Sequence, residues 1–132
     1  MKLLWIFLPL FIFCAPKVEQ EEPVIREVGI ASYYADRFHG RKTASGELYD
    51  KTKFTAAHKT LEFGTLVWVK NLKTQDSIQV RINDRGPYAK GRIIDVSRAA
   101  AKELHLIGPG KAKVEVWVVE GEVEDEDEGD GE

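Results

Sequence analysis

The chain has 132 residues, of which 43% are hydrophobic and 31% are charged, so it has room for one domain of about 100 residues with flanking segments. Its single cysteine excludes an internal disulfide framework, and its three histidines are too dispersed to form a Cys/His cluster with metal-ligand spacing. We therefore expect neither a structural metal nor a cofactor.

Residues 1–16 combine one lysine with an apolar run that is interrupted by Pro9 and is too short to span a bilayer comfortably. This pattern predicts an export signal rather than a buried helix. The run ends at Cys14, the place where a bacterial lipoprotein signal has its acylated cysteine, so we expect lipidation there and a membrane as partner. Phe13 stands where such signals normally have a small residue, and cleavage near Ala15 is the alternative.

Two polar segments flank the predicted domain. Residues 17–27 are polar and acidic, which is typical of a solvated tether, and the domain is expected to begin near Val28. Residues 121–132 contain eight acidic residues, three glycines and one valine, too little apolar surface to fold, so we expect an acidic disordered tail. One hypothesis is that this tail engages a basic partner.

Removing the tail changes the charge balance. Residues 1–120 contain all 19 basic residues and 14 of the 22 acidic ones, which leaves a net charge of +5. A mildly basic domain can attract an anionic polymer, but scattered lysines and arginines are also typical of an ordinary solvated surface. We expect no nucleic-acid partner.

Between the tails the sequence predicts mainly strands. Residues 65–70 and 77–82 form a predicted hairpin, and the second run alternates apolar and polar side chains. Residues 92–96 are predicted to form a short buried strand. Residues 113–120 are apolar on both faces, which favours a position inside a closed barrel or sandwich.

One helix is predicted after these strands. Ser97 can cap a helix that runs to Leu104, and residues 108–110 form a Gly-Pro-Gly stop. The fold class is therefore mainly β, a small closed β-barrel with one or two short helices.

A candidate site lies where the alternating strand ends. Asp84 stands there beside Arg85 and a Gly-Pro turn, which is a suitable place to hold an acid. Asp95 ends the next predicted strand, and His58 follows two small alanines at an expected strand edge. These residue types favour protonic chemistry, although each aspartate can also serve only to cap a turn.

Several motifs, in order along the chain, resemble the rare lipoprotein A family over about residues 28–120. The motifs are Gly29–Tyr34, Phe38–Asp50, Phe54–Leu61, Phe63–Thr65, Lys70–Leu72, Arg81–Tyr88 and Gly91–Ala101. The resemblance implies a six-stranded double-psi β-barrel related to expansins and to one family of lytic transglycosylases.

The resemblance also implies a function and a partner. Family members are bacterial envelope lipoproteins, and some cleave peptidoglycan glycan strands between N-acetylmuramic acid and N-acetylglucosamine, leaving a 1,6-anhydro end. We therefore expect a lytic transglycosylase that acts on these glycan strands in the cell envelope. The alternative is a non-catalytic, expansin-like module that binds the wall through the same groove.

A lytic transglycosylase needs one group that first donates and later accepts a proton, because the C6 hydroxyl of the sugar replaces water. Asp84 and Asp95 are the candidates, with Asp84 first. Their order stays open, since a guanidinium of Arg85 paired with Asp84 would shift the acid role to Asp95. His58 is the third catalytic candidate, as a residue that orients a carboxylate or contacts the glycan. The enzyme hypothesis requires residues 58, 84 and 95 to converge in one cleft.

Five further residues are predicted to bind the glycan. Two are acidic and lie in the loop around Gly46, two are tyrosines that can stack on sugar faces, and one is the arginine beside the candidate acid. They are Glu47, Asp50, Tyr34, Tyr88 and Arg85.

Overall fold

The computed structural model describes residues 23–119 and the single residue Pro9. The rest of the predicted export signal, Cys14, residues 17–22 of the predicted tether and the acidic tail lie outside the described residues. Within the described part of the chain, no helix is both long enough and apolar enough to cross a membrane.

Residues 23–119 form six strands and one α-helix, with a single turn of 3-10 helix at Asp36–Phe38. The elements are β1 (Pro23–Tyr33), β2 (Thr55–His58), β3 (Leu66–Asn71), β4 (Ser77–Asp84), β5 (Arg92–Val96), α1 (Arg98–Glu103) and β6 (Ala112–Val119).

The six strands close into one barrel in the spatial order β1-β5-β2-β4-β3-β6. The pairs β1–β5 and β2–β4 are parallel, and the remaining neighbours are antiparallel. Each parallel pair joins strands that are distant in sequence, which gives the two interlocked crossings of a double-psi barrel. The predicted mainly β fold class and closed six-stranded barrel are confirmed.

The barrel core consists of β-branched side chains that alternate along each strand. Because successive side chains of a strand point to opposite faces, every second residue of β3, β4, β5 and β6 faces inward. Full burial of each such side chain contributes about 1.5–3 kcal/mol to folding before entropy is counted. These fully or nearly fully buried residues are Val67, Val69, Val80, Ile82, Ile94, Val96, Val114 and Val116.

The predicted hairpin, the short strand at residues 92–96 and the helix are all present. β3 pairs with β4 in antiparallel register, and β5 has the predicted bounds. The Ser97 hydroxyl accepts a hydrogen bond from the Ala100 N–H, which caps α1 as the sequence predicts. The helix ends at Glu103, and Leu104 is its C-terminal cap.

β1 begins five residues before the predicted start of the domain, at Pro23 instead of near Val28. The first half of the strand pairs with β6, and Arg26 forms an ion pair with Glu115 at 3.0 Å. Residues 23–27 therefore belong to the barrel and not to a tether, because β6 is long enough to pair with them. Pro23 and the acidic residues just before it favour a tether over a strand in the sequence, and the pairing with β6 overrides this local signal.

Candidate active site

A row of four residues crosses four neighbouring strands on the outer face of the barrel. Ser32 of β1 pairs with Asp95 of β5, Asp95 pairs with Ala57 of β2, and Ala57 pairs with Asp84 of β4. Residues paired in this way project to the same face of a sheet. Ala57 is small and only 2% exposed, so it forms a floor between the two carboxylates.

Three uncharged donors hold the Asp84 carboxylate. The Tyr34 hydroxyl donates to Oδ2 at 2.5 Å, and the backbone N–H groups of Ala44 and Arg85 donate to Oδ1, each at 2.9 Å. Two of these donors come from loops, so the carboxylate ties both loops to the end of β4. Its orientation is therefore fixed without a cation.

Asp95 is held differently. Its Oδ1 accepts hydrogen bonds from the Ser32 hydroxyl and from the Arg92 guanidinium, the latter at 2.6 Å. The contact with Arg92 is an ion pair in which the two side chains are only 26% and 18% exposed. Asp95 is thus a carboxylate with a fixed positive neighbour.

Tyr34 lies at the Asp84 end of the row. Burial raises the pKa of its hydroxyl most, the hydrogen bond with Asp84 raises it further, and the charge of Asp95 adds a smaller contribution. The hydroxyl therefore stays protonated and remains a donor. One ring face stacks on Tyr49 at 4.5 Å between centroids, which leaves that face unavailable to a sugar.

The loop that supplies the Ala44 N–H is anchored to β4 through Glu47. The Glu47 carboxylate accepts two hydrogen bonds from the Arg81 guanidinium, at 2.8 and 2.9 Å, and one from the Asn83 amide at 3.1 Å. The contact with Arg81 is the main reason that the pKa of Glu47 lies below its usual value. Gly46 turns the loop with a φ of +95°, a conformation that glycine adopts without strain.

A pocket of about 410 Å³ lies beside this anchor. Asp50 lines it and also closes a local turn, because its carboxylate accepts hydrogen bonds from the N–H and hydroxyl of Thr52. The residues that line the pocket are Glu47, Leu48, Asp50, Lys53, Thr55, Arg81 and Asn83.

The His58 ring does not lie between the two aspartates. His58 pairs with the core residue Ile94, so its side chain is on the opposite face of β2 from Ala57. Its Nδ1 accepts hydrogen bonds from the N–H groups of Thr60 and Leu61, each at 3.1 Å, and its Nε2 lies 2.9 Å from the Glu27 carboxylate. Both ring nitrogens are therefore occupied.

The Arg85 guanidinium points away from Asp84. It donates to the carbonyl oxygens of His58 and Leu61, at 3.2 and 2.7 Å, and lies over the Phe63 ring at 4.1 Å from the centroid. Only the backbone N–H of Arg85 reaches Asp84. The cation that the sequence places beside Asp84 thus serves the turn after β2, and a different arginine pairs with Asp95.

Of the predicted catalytic residues, the structure brings Asp84 and Asp95 into one row and leaves the His58 ring on the other face. The expected convergence of all three residues in one cleft is therefore not observed, and the two aspartates alone form the candidate catalytic pair. Of the predicted glycan-binding residues, Tyr34 contacts Asp84 directly, Glu47 and Asp50 line the adjacent pocket, and the Tyr88 side chain is 82% exposed on the loop after Asp84.

The sequence reasoning missed Ser32, Arg92 and the Ala44 N–H. Ser32 has a signal in the sequence, as a polar residue at an outward position between apolar neighbours in β1. Arg92 lies three residues before Asp95, but their contact depends on an irregular register between β1 and β5. The contact of the Ala44 N–H spans 40 positions of the chain and has no local signal.

Comparison with known proteins identifies related sequences. The chain is 56% identical over 92 residues to the endolytic peptidoglycan transglycosylase RlpA of Pasteurella multocida, covering 70% of this chain and 31% of that protein. It is 53% identical over 90 residues to the protein of the same name from Neisseria meningitidis, covering 68% and 38%. The chain therefore spans about a third of the length of the curated relatives it matches.

Solved structures share the fold at low sequence identity. The Streptomyces papain inhibitor superposes with a TM-score of 0.60 at 22% identity, covering 74% of this chain and 96% of that protein. A Clavibacter michiganensis expansin superposes with a TM-score of 0.59 at 18% identity, covering 75% and 52%. These two similarities support the barrel architecture.

The family itself follows from the sequence match. Residues 26–116, most of the barrel, match the family model described as lytic transglycolase. The resemblance to rare lipoprotein A proteins that the motifs indicate is thereby confirmed. The chain belongs to the lytic transglycolase family of double-psi β-barrels.

Proposed function

We propose that this protein is an endolytic lytic transglycosylase that cleaves peptidoglycan glycan strands between N-acetylmuramic acid and N-acetylglucosamine. The observation that carries the proposal is the oriented Asp84 carboxylate, which lies in a row with a second carboxylate on the outer face of the barrel. The names of the relatives, endolytic peptidoglycan transglycosylases, support the same substrate.

Asp84 acts as both acid and base in this proposal. Its protonated carboxyl donates to the glycosidic oxygen, the bond from that oxygen to C1 of N-acetylmuramic acid breaks, and the N-acetylglucosamine end leaves with a hydroxyl. The C6 hydroxyl then attacks C1 and returns its proton to Asp84. The products are a 1,6-anhydro end and a free 4-hydroxyl, and no water is consumed.

Asp95 stabilises the positive charge that develops at C1. Its carboxylate is committed to an ion pair with the Arg92 guanidinium, whereas the described contacts of Asp84 are hydrogen bonds from uncharged donors. Tyr34 can turn its hydroxyl to accept from protonated Asp84 and to donate to the ionised form. The difference between the partners of the two carboxylates supports separate roles for them in this proposal.

Glycan binding extends from this row toward the pocket beside Glu47. Polar side chains line that pocket, and sugar hydroxyls form hydrogen bonds with groups of this kind. Asp50 accepts from hydroxyl groups there, while Glu47, whose carboxylate already accepts from Arg81 and Asn83, holds the loop that forms the pocket wall. The exposed Tyr88 ring, on the loop that follows Asp84, offers a stacking face. Arg85 contributes through the loop it fixes, since carbonyl oxygens and the Phe63 ring already occupy its guanidinium.

The protein acts in the cell envelope, where its substrate lies, and Cys14 is its lipid anchor. The support is the apolar run that ends at Cys14. The full chain, expressed in a bacterium supplied with radiolabelled palmitate, should become labelled, and the Cys14→Ser variant should not. Equal labelling of both proteins, or none of the wild type, would contradict the anchor.

The enzymatic proposal is tested with the full chain purified in detergent and incubated with sacculi, either intact or stripped of stem peptides. Mass spectrometry should detect anhydro-muropeptides or anhydro-ended glycan, and an Asp84→Asn, Asp95→Asn double variant should release none. If both proteins bind sacculi and neither creates new ends, the protein is a non-catalytic wall-binding module like the expansin alternative.

A further inference from the structure

We infer that His58 is a positioning residue that acts on Asp84 through Arg85 and takes no part in proton transfer. The inference rests on the proposed function, because the orientation of Asp84 matters for activity only if Asp84 is the acid and base. It concerns a chain of contacts that links Glu27, His58, the turn at residues 58–61, Arg85 and Asp84.

The first link fixes the His58 ring. Two backbone N–H groups point at Nδ1, so Nδ1 is the acceptor and the ring proton is on Nε2. The Nε2–H then donates to the Glu27 carboxylate at 2.9 Å. With the residue 5% exposed and both nitrogens bonded, the ring has no free position from which to give a proton to a glycan or take one from it.

The second link transmits the position of the turn. The two N–H groups that His58 accepts from shape residues 58–61 so that the carbonyl oxygens of His58 and Leu61 point at one guanidinium. Arg85 donates to both from Nη1 and lies against Phe63. A planar guanidinium held by two carbonyls and an aromatic face has little freedom to move.

The third link reaches the acid. The backbone N–H of Arg85 donates to Asp84 Oδ1, so anchoring the Arg85 side chain also anchors the group that orients the carboxylate. A misplacement of about 1 Å at a reacting group can lower a rate about 100-fold. Loss of the His58 acceptor would therefore lower activity although the ring touches no substrate.

Two isosteric substitutions separate this role from proton transfer. Asn places its side-chain oxygen near the position of His58 Nδ1, so His58→Asn keeps the acceptor for the turn and removes any titrating ring. Gln places its nitrogen near Nε2, so His58→Gln keeps a donor to Glu27 and loses that acceptor. If His58 transferred protons, neither Asn nor Gln could take over its function.

The experiment measures release of anhydro ends from sacculi as a function of pH and substrate concentration. We expect His58→Asn to keep at least about a tenth of the wild-type kcat with an unchanged pH profile. His58→Gln and Arg85→Lys should lose about 100-fold in kcat with little change in KM. His105→Asn is the matched control, because His105 is exposed and pairs with Asp76.

A second readout does not need activity. In NMR spectra, the amide protons of Ala44 and Arg85 report their hydrogen bonds to Asp84. The Arg85 amide signal should stay in place in His58→Asn and move in His58→Gln, and long-range nitrogen spectra should show the wild-type ring proton on Nε2.

The outcomes separate the two proposals. If the wild type releases no anhydro ends, the proposed function fails, and the amide signals alone decide the positioning role. If the wild type is active, any of three results overturns the inference. These are a folded His58→Asn that is as inactive as His58→Gln, a His58→Asn pH profile that loses a limb, and an Arg85 amide signal that is unchanged in His58→Gln.

Discussion

The two ends of the carboxylate row are built from different donors. At one end, Asp84 receives three hydrogen bonds, all from uncharged groups, and two of them come from backbone N–H groups of separate loops. At the other end, Asp95 receives a hydroxyl and a guanidinium. Both carboxylates are strand neighbours of the same small residue, Ala57, so they occupy equivalent positions. They differ in their hydrogen-bond partners.

Under the proposed function, the two aspartates have different roles on one wall of the barrel, and their different partners are consistent with this division. A group that alternates between acid and base must tolerate both charge states, and of the three donors to Asp84 the Tyr34 hydroxyl, which meets Oδ2, can reorient to permit this. A group that only stabilises positive charge benefits from being locked in the ionised state by a cation. The position of one arginine therefore distinguishes the two aspartates.

The largest expected effect is the loss of Asp84. Asp84→Asn should lower the release of anhydro ends by about 10³-fold or more, because general acid–base catalysis commonly contributes 10²–10⁴-fold. Asp95→Asn should lower it by about 10²-fold or less, because it removes only charge stabilisation. Both are measured as kcat on sacculi, with circular dichroism to show that each variant is folded. An Asp95→Asn loss that exceeds the Asp84→Asn loss would reverse the assignment.

Tyr34→Phe should have an intermediate effect. It removes one hydrogen bond to Asp84 and leaves the two backbone donors, so kcat should fall by about 10-fold, which corresponds to the lower end of the ~1.5–3 kcal/mol typical of a hydrogen bond to a charged group. Because burial and Asp84 raise the pKa of Tyr34, its hydroxyl should not ionise with ordinary tyrosines near pH 10.

Absorbance at 295 nm tests the tyrosine directly. The number of tyrosines that titrate near pH 10 should be the same in Tyr34→Phe as in the wild type, with Tyr88→Phe as a control that loses one titrating group, since Tyr88 is exposed. If both variants lose one group, the Tyr34 hydroxyl is not shielded in the manner described.

Several strands of the barrel can be predicted from the sequence because each has a local pattern of apolar and polar residues. The alternation in residues 77–82 predicts β4, and the short apolar run at 92–96 predicts β5 with its observed bounds. The cap at Ser97 predicts the helix. These patterns depend only on residues that are close in the sequence, so they predict the strands and the helix without knowledge of the fold.

The pairing of the strands is harder to predict from the sequence. β1 is parallel to β5 and β2 is parallel to β4, and no hairpin signal connects either pair. Their arrangement came from the resemblance to a known family. The same applies to the start of β1, which gains its strand partner only when β6 pairs beside it.

The sequence predicts the two aspartates of the candidate site but not their partners. Asp84 and Asp95 follow from strand ends, but which arginine pairs with which aspartate does not follow from adjacency. Arg85 is the chain neighbour of Asp84 and yet points to the turn after β2, because two carbonyl oxygens and an aromatic ring lie there. Side-chain direction depends on the closed barrel, which local patterns do not describe.

The smallest expected effect concerns the loop that orients Asp84 through Ala44. Glu47→Gln should weaken the contact with Arg81 and lower the free energy of unfolding at neutral pH by about 1 kcal/mol or less, because the two side chains are 37% and 19% exposed and water screens the pair. Thermal or urea unfolding at several pH values measures this.

The sign of the pH dependence follows from the lowered pKa of Glu47. Its contribution is present at pH above the ordinary value of 4.5 and is lost as the pH falls through the lower value in the folded protein, so wild type and variant should converge in stability under acid conditions.

The Glu47→Gln substitution should also lower kcat a few-fold, because the Ala44 N–H donates to Asp84 from the same loop. Since no contact of Glu47 reaches Asp95, a variant that lacks Asp84 should show no further fall in residual activity when Glu47 is also replaced, whereas one that lacks Asp95 should. An equal additional loss in both backgrounds would mean that Glu47 serves the glycan directly, independently of the Asp84 end of the row.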